Sequence, residues 1–97
     1  LAARFKVLAE PMRLRILNAL REGEKTVSQL VEETGAGQAN ISKHLGLLYR
    51  YRMVARRKEG LNVYYRISDP TIFELCELVC QSLEEELEAR RRALGAL

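Results

Sequence analysis

Apolar positions follow a helical rhythm over most of the chain and switch to strand alternation once. Phe5, Leu8 and Ala9 recur at helical spacing and predict a short first helix over Leu1–Ala9. Pro11 ends it, because the residue before a proline is pushed out of helical angles. The same proline suits the first turn of a second helix. That helix is predicted to run to about Glu22 and stop at Gly23. Its apolar residues Met12, Leu14, Ile16, Leu17 and Leu20 cover more than one side, which predicts burial. Thr26 or Ser28 can cap a third helix, whose inner stripe is Val27, Leu30 and Val31. Gly35 stops it, since a left-handed residue costs glycine little, and Gly37 allows a sharp turn into the next element.

A fourth helix is predicted over about Gln38–Tyr49. At about 100° per residue, Ile41, Leu45 and Leu48 fall on one side and Ala39, Ser42, Lys43, Gly46 and Arg50 on the other. Alternation then takes over. Val54–Lys58 and Val63–Ile67 read as strands joined by the turn Glu59-Gly60-Leu61-Asn62, with Val63, Tyr65 and Ile67 on the core face. Such a hairpin is marginal alone and must lean on the helices. Asp69 can cap a last helix with Pro70 at its first position. Its apolar stripe is Ile72, Cys76, Val79, Leu83 and Leu87, flanked by Phe73, Leu75 and Cys80. Glu74, Glu77, Gln81, Glu84, Glu85 and Glu88 line the opposite side. This stripe is longer than one small core can use, so a symmetry mate is expected to cover the excess, helped by the first helix. The tail Ala89–Leu97 is expected to fray.

The predicted fold is therefore mainly α with a small β-hairpin, an α+β arrangement of five helices and a two-stranded wing over one domain, residues 1–97. Thr26–Leu48 has the layout of a helix-turn-helix, whose second helix lies in the DNA major groove. Small residues on its outer side let the backbone approach, polar ones reach base edges and basic ones reach phosphates.

Charge distribution sharpens this picture. The chain of 97 residues carries net +3, with 47% hydrophobic and 30% charged residues, a folded rather than disordered balance. Between residues 35 and 65, Lys43, Arg50, Arg52, Arg56, Arg57 and Lys58 face Glu59 alone, whereas residues 66–97 are net acidic. Positive charge is thus gathered on the predicted reading helix and wing, as a phosphate-facing surface requires. The expected DNA contacts are Gln38, Ala39, Asn40, Ser42 and Lys43 on the helix, and Arg56, Arg57, Lys58 and Asn62 on the wing. No apolar run approaches the roughly 20 residues of a membrane span and nothing resembles a signal peptide, so a cytoplasmic location is expected, with no membrane partner.

Cys76 and Cys80 are neighbours on one helical surface. As thiolates they would suit arsenite or a soft metal ion, or thiol-redox chemistry; as thiols they are small core residues. Both readings stay open. His44, the only histidine, lies nearer the inner side of its helix and lacks the partners of a metal site, so a packing or phosphate-contact role is expected. Tyr49, Tyr51, Tyr64 and Tyr65 are expected to pack around the hairpin. No nucleophile, base and orienting group stand together, which argues against an enzyme.

The segments LAEPMRLRIL, TVSQLVEETGAGQANISKHLGLL and RRKEGLNVYYRI followed by DP, in this order, resemble the ArsR/SmtB family of winged-helix transcriptional repressors. The resemblance implies a homodimer joined through its first and last helices. It further implies binding to an imperfect inverted repeat in double-stranded DNA, in the operator of the chain's own or a neighbouring gene. Release on a metal, metalloid or redox signal completes the family pattern. The family's Gln-Ser-x-x-Ser order is matched at Gln38 and Ser42, with Ala39 replacing the first serine, and Leu61 stands where the family wing often has arginine. Thr26 and Ser28 replace the cysteines of one family metal site. At the other, Asp69 and Glu85 supply carboxylates while Thr71 and Ser82 replace the histidines, leaving a poor zinc site. A winged-helix module that binds a partner protein instead of specific DNA is the alternative.

Overall fold

Helices and strands follow one another in the computed structural model, which describes residues 2–95, as α1 (Ala2–Leu8), α2 (Pro11–Leu20), β1 (Lys25–Thr26), α3 (Val27–Thr34), α4 (Gln38–Arg50), β2 (Val54–Glu59), β3 (Asn62–Ile67) and α5 (Pro70–Gly95). The five expected helices and the hairpin are all present. Their core is a single cluster drawn from every helix and from the turn into β2. Ile16, Leu17, Leu30, Ile41, Leu45, Leu48, Met53 and Val54 are its fully buried members.

Local chemistry explains most boundaries. Glu10 caps α2 by accepting a 2.8 Å hydrogen bond from the Arg13 amide, and Pro11 follows as the first helical residue. This bond holds the Glu10 carboxyl below its ordinary value. The α2 helix ends at Leu20, two residues before the expected Glu22, and Gly23 takes the turn at φ 134°. Its Leu14 is exposed, against the expectation of burial, because the core meets only the Ile16, Leu17 and Leu20 side.

Thr26, rather than Ser28, caps α3. Its hydroxyl accepts from the Gln29 amide at 3.2 Å, and the Gln29 side chain accepts from the Thr26 amide at 2.8 Å, a reciprocal capping box. Gly35 ends α3 in the left-handed region at φ 74°. Gly37 precedes α4 with φ −71°, a conformation open to any residue, so no glycine-specific turn is needed there.

The sheet departs from the expected two strands. Lys25 and Thr26 pair antiparallel with Tyr65 and Tyr64, giving a third strand and the order β1-β3-β2. The wing itself remains the β2–β3 hairpin, one residue longer on each side of its loop than expected, with Gly60 at φ 62° in the first loop position, the pattern of a II′ turn. Asp69 accepts from the Thr71 amide at 2.9 Å and caps α5, while Arg4 bonds the other carboxylate oxygen at 2.9 Å and ties α1 to the start of α5. The α5 helix continues to Gly95, so the expected fraying of the tail does not hold over 89–95; Ala96 and Leu97 lie outside the described residues.

Arg13 joins three helices. Its Nε donates to the Val7 carbonyl near the end of α1 at 2.6 Å, its amide is held by Glu10 at the start of α2, and its Nη1 lies 3.4 Å from His44 Nδ1 on α4. The same His44 Nδ1 lies 3.9 Å from Glu10 Oε2, so Arg13, Glu10 and His44 meet at one point. His44 is thereby a buried residue on the core side of α4, packed against α2.

Candidate nucleic-acid interface

The α3–α4 pair positions the reading surface. Complete burial of Ile41, Leu45 and Leu48 fixes the rotation of α4 about its axis, and this turns Gln38, Ala39, Asn40, Ser42, Lys43, Gly46 and Arg50 to solvent. The helix starts without a side-chain cap at Gly37, so its first-turn amides have no side-chain partner and form a partial positive end. Among the described residues, Lys43, Arg50 and Lys58 enter no salt bridge.

The wing cations are not equivalent. Strand register places Arg56 opposite Tyr65 and Arg57 opposite Tyr64, and successive side chains alternate faces. Arg56 lies on the same face as Val54 and stacks over Tyr49 at the end of α4, 4.2 Å from the ring centroid. Arg57 points the other way and stacks over Tyr64 at 4.6 Å. Its Nε and Nη2 donate to the two oxygens of Glu24 at 2.8 and 2.9 Å, and its Nη1 donates to Glu59 at 2.6 Å. These hydrogen bonds, the Glu24 pair first, raise the Arg57 pKa further and lower that of Glu24. Arg57 is thus a brace between the wing and the chain leading into β1, not a free cation like Lys58. Glu24 carried no signal in the sequence, because the partners are 33 residues apart. Asn62 and the wholly exposed Leu61 lie at the tip.

The cysteines face inward. Cys76 is buried in the core and Cys80 is half-buried beside α2, where its Sγ donates to Asn18 Oδ1 at 3.3 Å. Burial pushes the Cys76 thiol above its ordinary value of 9.0, and neighbouring Cys80 adds to this. Both thiols are free, and among the described residues no group of three or more His, Cys, Asp or Glu side chains is placed to hold a metal ion. Among the described residues, no helix is long and apolar enough to cross a membrane.

A helix-turn-helix with an outward polar second helix, followed by a basic hairpin, defines a winged-helix DNA-binding module. Comparison with known proteins makes this specific. Residues 10–56 match the family described as bacterial regulatory protein, arsR family. The HTH-type transcriptional regulator Rv0081 of Mycobacterium tuberculosis is 38% identical over 94 residues, spanning 96% of this chain and 82% of that protein. Its crystal structure matches with a TM-score of 0.78 over 92% of this chain and 90% of the other. The antimony-specific transcriptional repressor AntR matches with a TM-score of 0.81 at 35% identity, over 90% and 79% of the two chains. The homodimeric winged helix-turn-helix domain Mb0332 of Mycobacterium bovis gives 0.76 at 36% identity, over 87% and 78%. The chain belongs to the ArsR family of bacterial regulatory proteins. It is a DNA-binding transcriptional regulator and not an enzyme.

Proposed function

We propose that this protein is a homodimeric transcriptional repressor that binds an inverted-repeat operator and leaves it in response to a chemical signal. The observation that carries this reading is the division of α4 into a fully buried side and an exposed side that, among the described residues, is free of salt bridges. Gln38, Asn40 and Ser42 supply the donors and acceptors that read base edges, Ala39 offers a methyl to thymine, and Lys43 meets a phosphate. On the wing, Arg56, Lys58 and Asn62 contact the flanking backbone while Arg57 holds the hairpin in place. The apolar faces of α1 and α5 join two copies, as the homodimeric relative suggests. Two-fold symmetry then presents two α4 helices to two half-sites about one helical turn apart.

For the signal, we assign the thiols of Cys76 and Cys80 to a soft metalloid such as arsenite, a soft metal ion, or an oxidant. The naming of AntR for antimony supports this chemistry. In this reading Cys80, the less buried thiol, reacts before the buried Cys76.

The test is titration of the purified protein onto an operator taken from its own upstream region and onto random duplex, across a range of salt. Specific binding that weakens steeply with salt supports the reading. Equally weak binding to both duplexes favours a protein-interaction module instead. Addition of arsenite, zinc, cadmium or peroxide to the bound complex then tests release. A Cys76→Ser/Cys80→Ser variant that responds like the parent would remove the thiols from the mechanism.

A further inference from the structure

We infer that the notch at Gly46, midway along the outer side of α4, seats a phosphate group of the DNA backbone. The inference rests on the DNA-binding reading above and names the group that makes the close approach the sequence suggests at this outer-side glycine.

A glycine inside a helix weakens it relative to alanine, through lost backbone entropy and lost side-chain burial. Such a residue is usually explained by a left-handed backbone or by close packing inside the protein. Gly46 has neither explanation. It sits within α4 and is not among the glycines with positive φ, which are Gly23, Gly35 and Gly60. A Cβ built on it meets no heavy atom within 4 Å. The protomer has room for a side chain there and carries none.

The surroundings indicate what fills the space. Gly46 lies in a groove of about 330 Å³, with Ser42, Lys43, Leu47 and Arg50 from α4 and Arg13 and His44 behind. Arg13 Nε is held by the Val7 carbonyl, and among the described residues Lys43 and Arg50 enter no salt bridge. Among the described residues, no carboxylate lines the groove. Ser42, Gly46 and Arg50 form one row at four-residue spacing, so bare helix backbone separates a hydroxyl from a guanidinium along a span of about 12 Å. The matching partner is anionic, extended and able to press against the helix. A second copy of the chain is a poor match, because most of the exposed large apolar side chains lie on α5, away from this groove.

The experiment is to measure thermal unfolding and duplex affinity for the full chain and for Gly46→Ala and Gly46→Gln. The alanine variant is expected to unfold about 4 °C higher. It is also expected to bind operator and random duplex about tenfold more weakly, by the same factor on both, since phosphate contacts carry no sequence information. Gly46→Gln is expected to lose at least as much. An alanine variant that is more stable and binds as tightly as the parent overturns the inference. So does one that is less stable, because the glycine would then serve the fold, and so does a loss confined to a single base pair. If the parent fails to bind duplex DNA at all, the underlying reading fails instead.

Discussion

Helices α4 and α5 carry the same kind of pattern and put it to different use. In α4 the apolar stripe Ile41, Leu45 and Leu48 is wholly absorbed by the protomer's own core. In α5 only Ile72 and Cys76 are absorbed, while Val79, Leu83 and Leu87 remain 49%, 53% and 61% exposed. A saturated stripe fixes a helix and frees its polar side for a ligand. An unsaturated stripe is an unfinished interface. The length of the helix decides which occurs: 13 residues of α4 fit the width of the core, and 26 residues of α5 overrun it.

The sharpest break in this contrast is a charge placed on the unfinished stripe. Leu83→Glu with Leu87→Glu is expected to leave the protomer folded, convert the protein to a monomer by sedimentation, and lower operator affinity by about 100-fold through loss of two-headed binding. A stable dimer with both substitutions would move the interface away from α5. On the saturated helix, Lys43→Ala is expected to lower affinity about tenfold and make the salt slope shallower by about one, with unfolding unchanged. An unchanged slope would take Lys43 off the phosphates.

Smaller effects separate contact from brace on the wing. Arg57→Ala and Glu24→Ala are each expected to weaken binding about threefold, and the double variant no more than either alone, because the residues act as one unit. Weakening by Arg57→Ala with no effect of Glu24→Ala would make Arg57 a DNA contact after all. The brace is also pH-dependent. Arg57 lowers the folded-state pKa of Glu24 from its ordinary 4.5, so the contribution is full above that value and fades as pH falls through the depressed one. Acid unfolding of Glu24→Gln compared with the parent reads this directly. The smallest expected effect on DNA comes from Thr26→Ala, which removes the α3 cap and destabilises by about 1 kcal/mol in denaturant while leaving affinity nearly unchanged.

Elements whose cause is local were legible in the sequence. Glycine at Gly35, proline at Pro11 and the periodic stripes of α4 and α5 each act within a few residues of themselves. What escaped has its cause far along the chain. A two-residue strand such as Lys25–Thr26 has no periodicity to detect and exists because β3 offers it an edge. The Arg57–Glu24 pair and the Arg13–His44 contact depend on tertiary closure. The exposure of Leu14 escapes the pattern because a stripe tells how much apolar surface a helix has, not how much of it the neighbours reach. Among the expected DNA-contact side chains, the α4 set emerged on one face, whereas the wing set divided between two faces of a hairpin.

The Arg13 junction has a mechanical consequence. One guanidinium touches both the last turn of α1 and the buried imidazole of α4, which ties these helices to α2. A change of angle at the seam between two copies would therefore swing each probe helix bodily, altering the separation of the pair while leaving each one's own chemistry intact. Such a regulator would let go of its site by losing the pitch of the duplex and not by blunting its grip on any base.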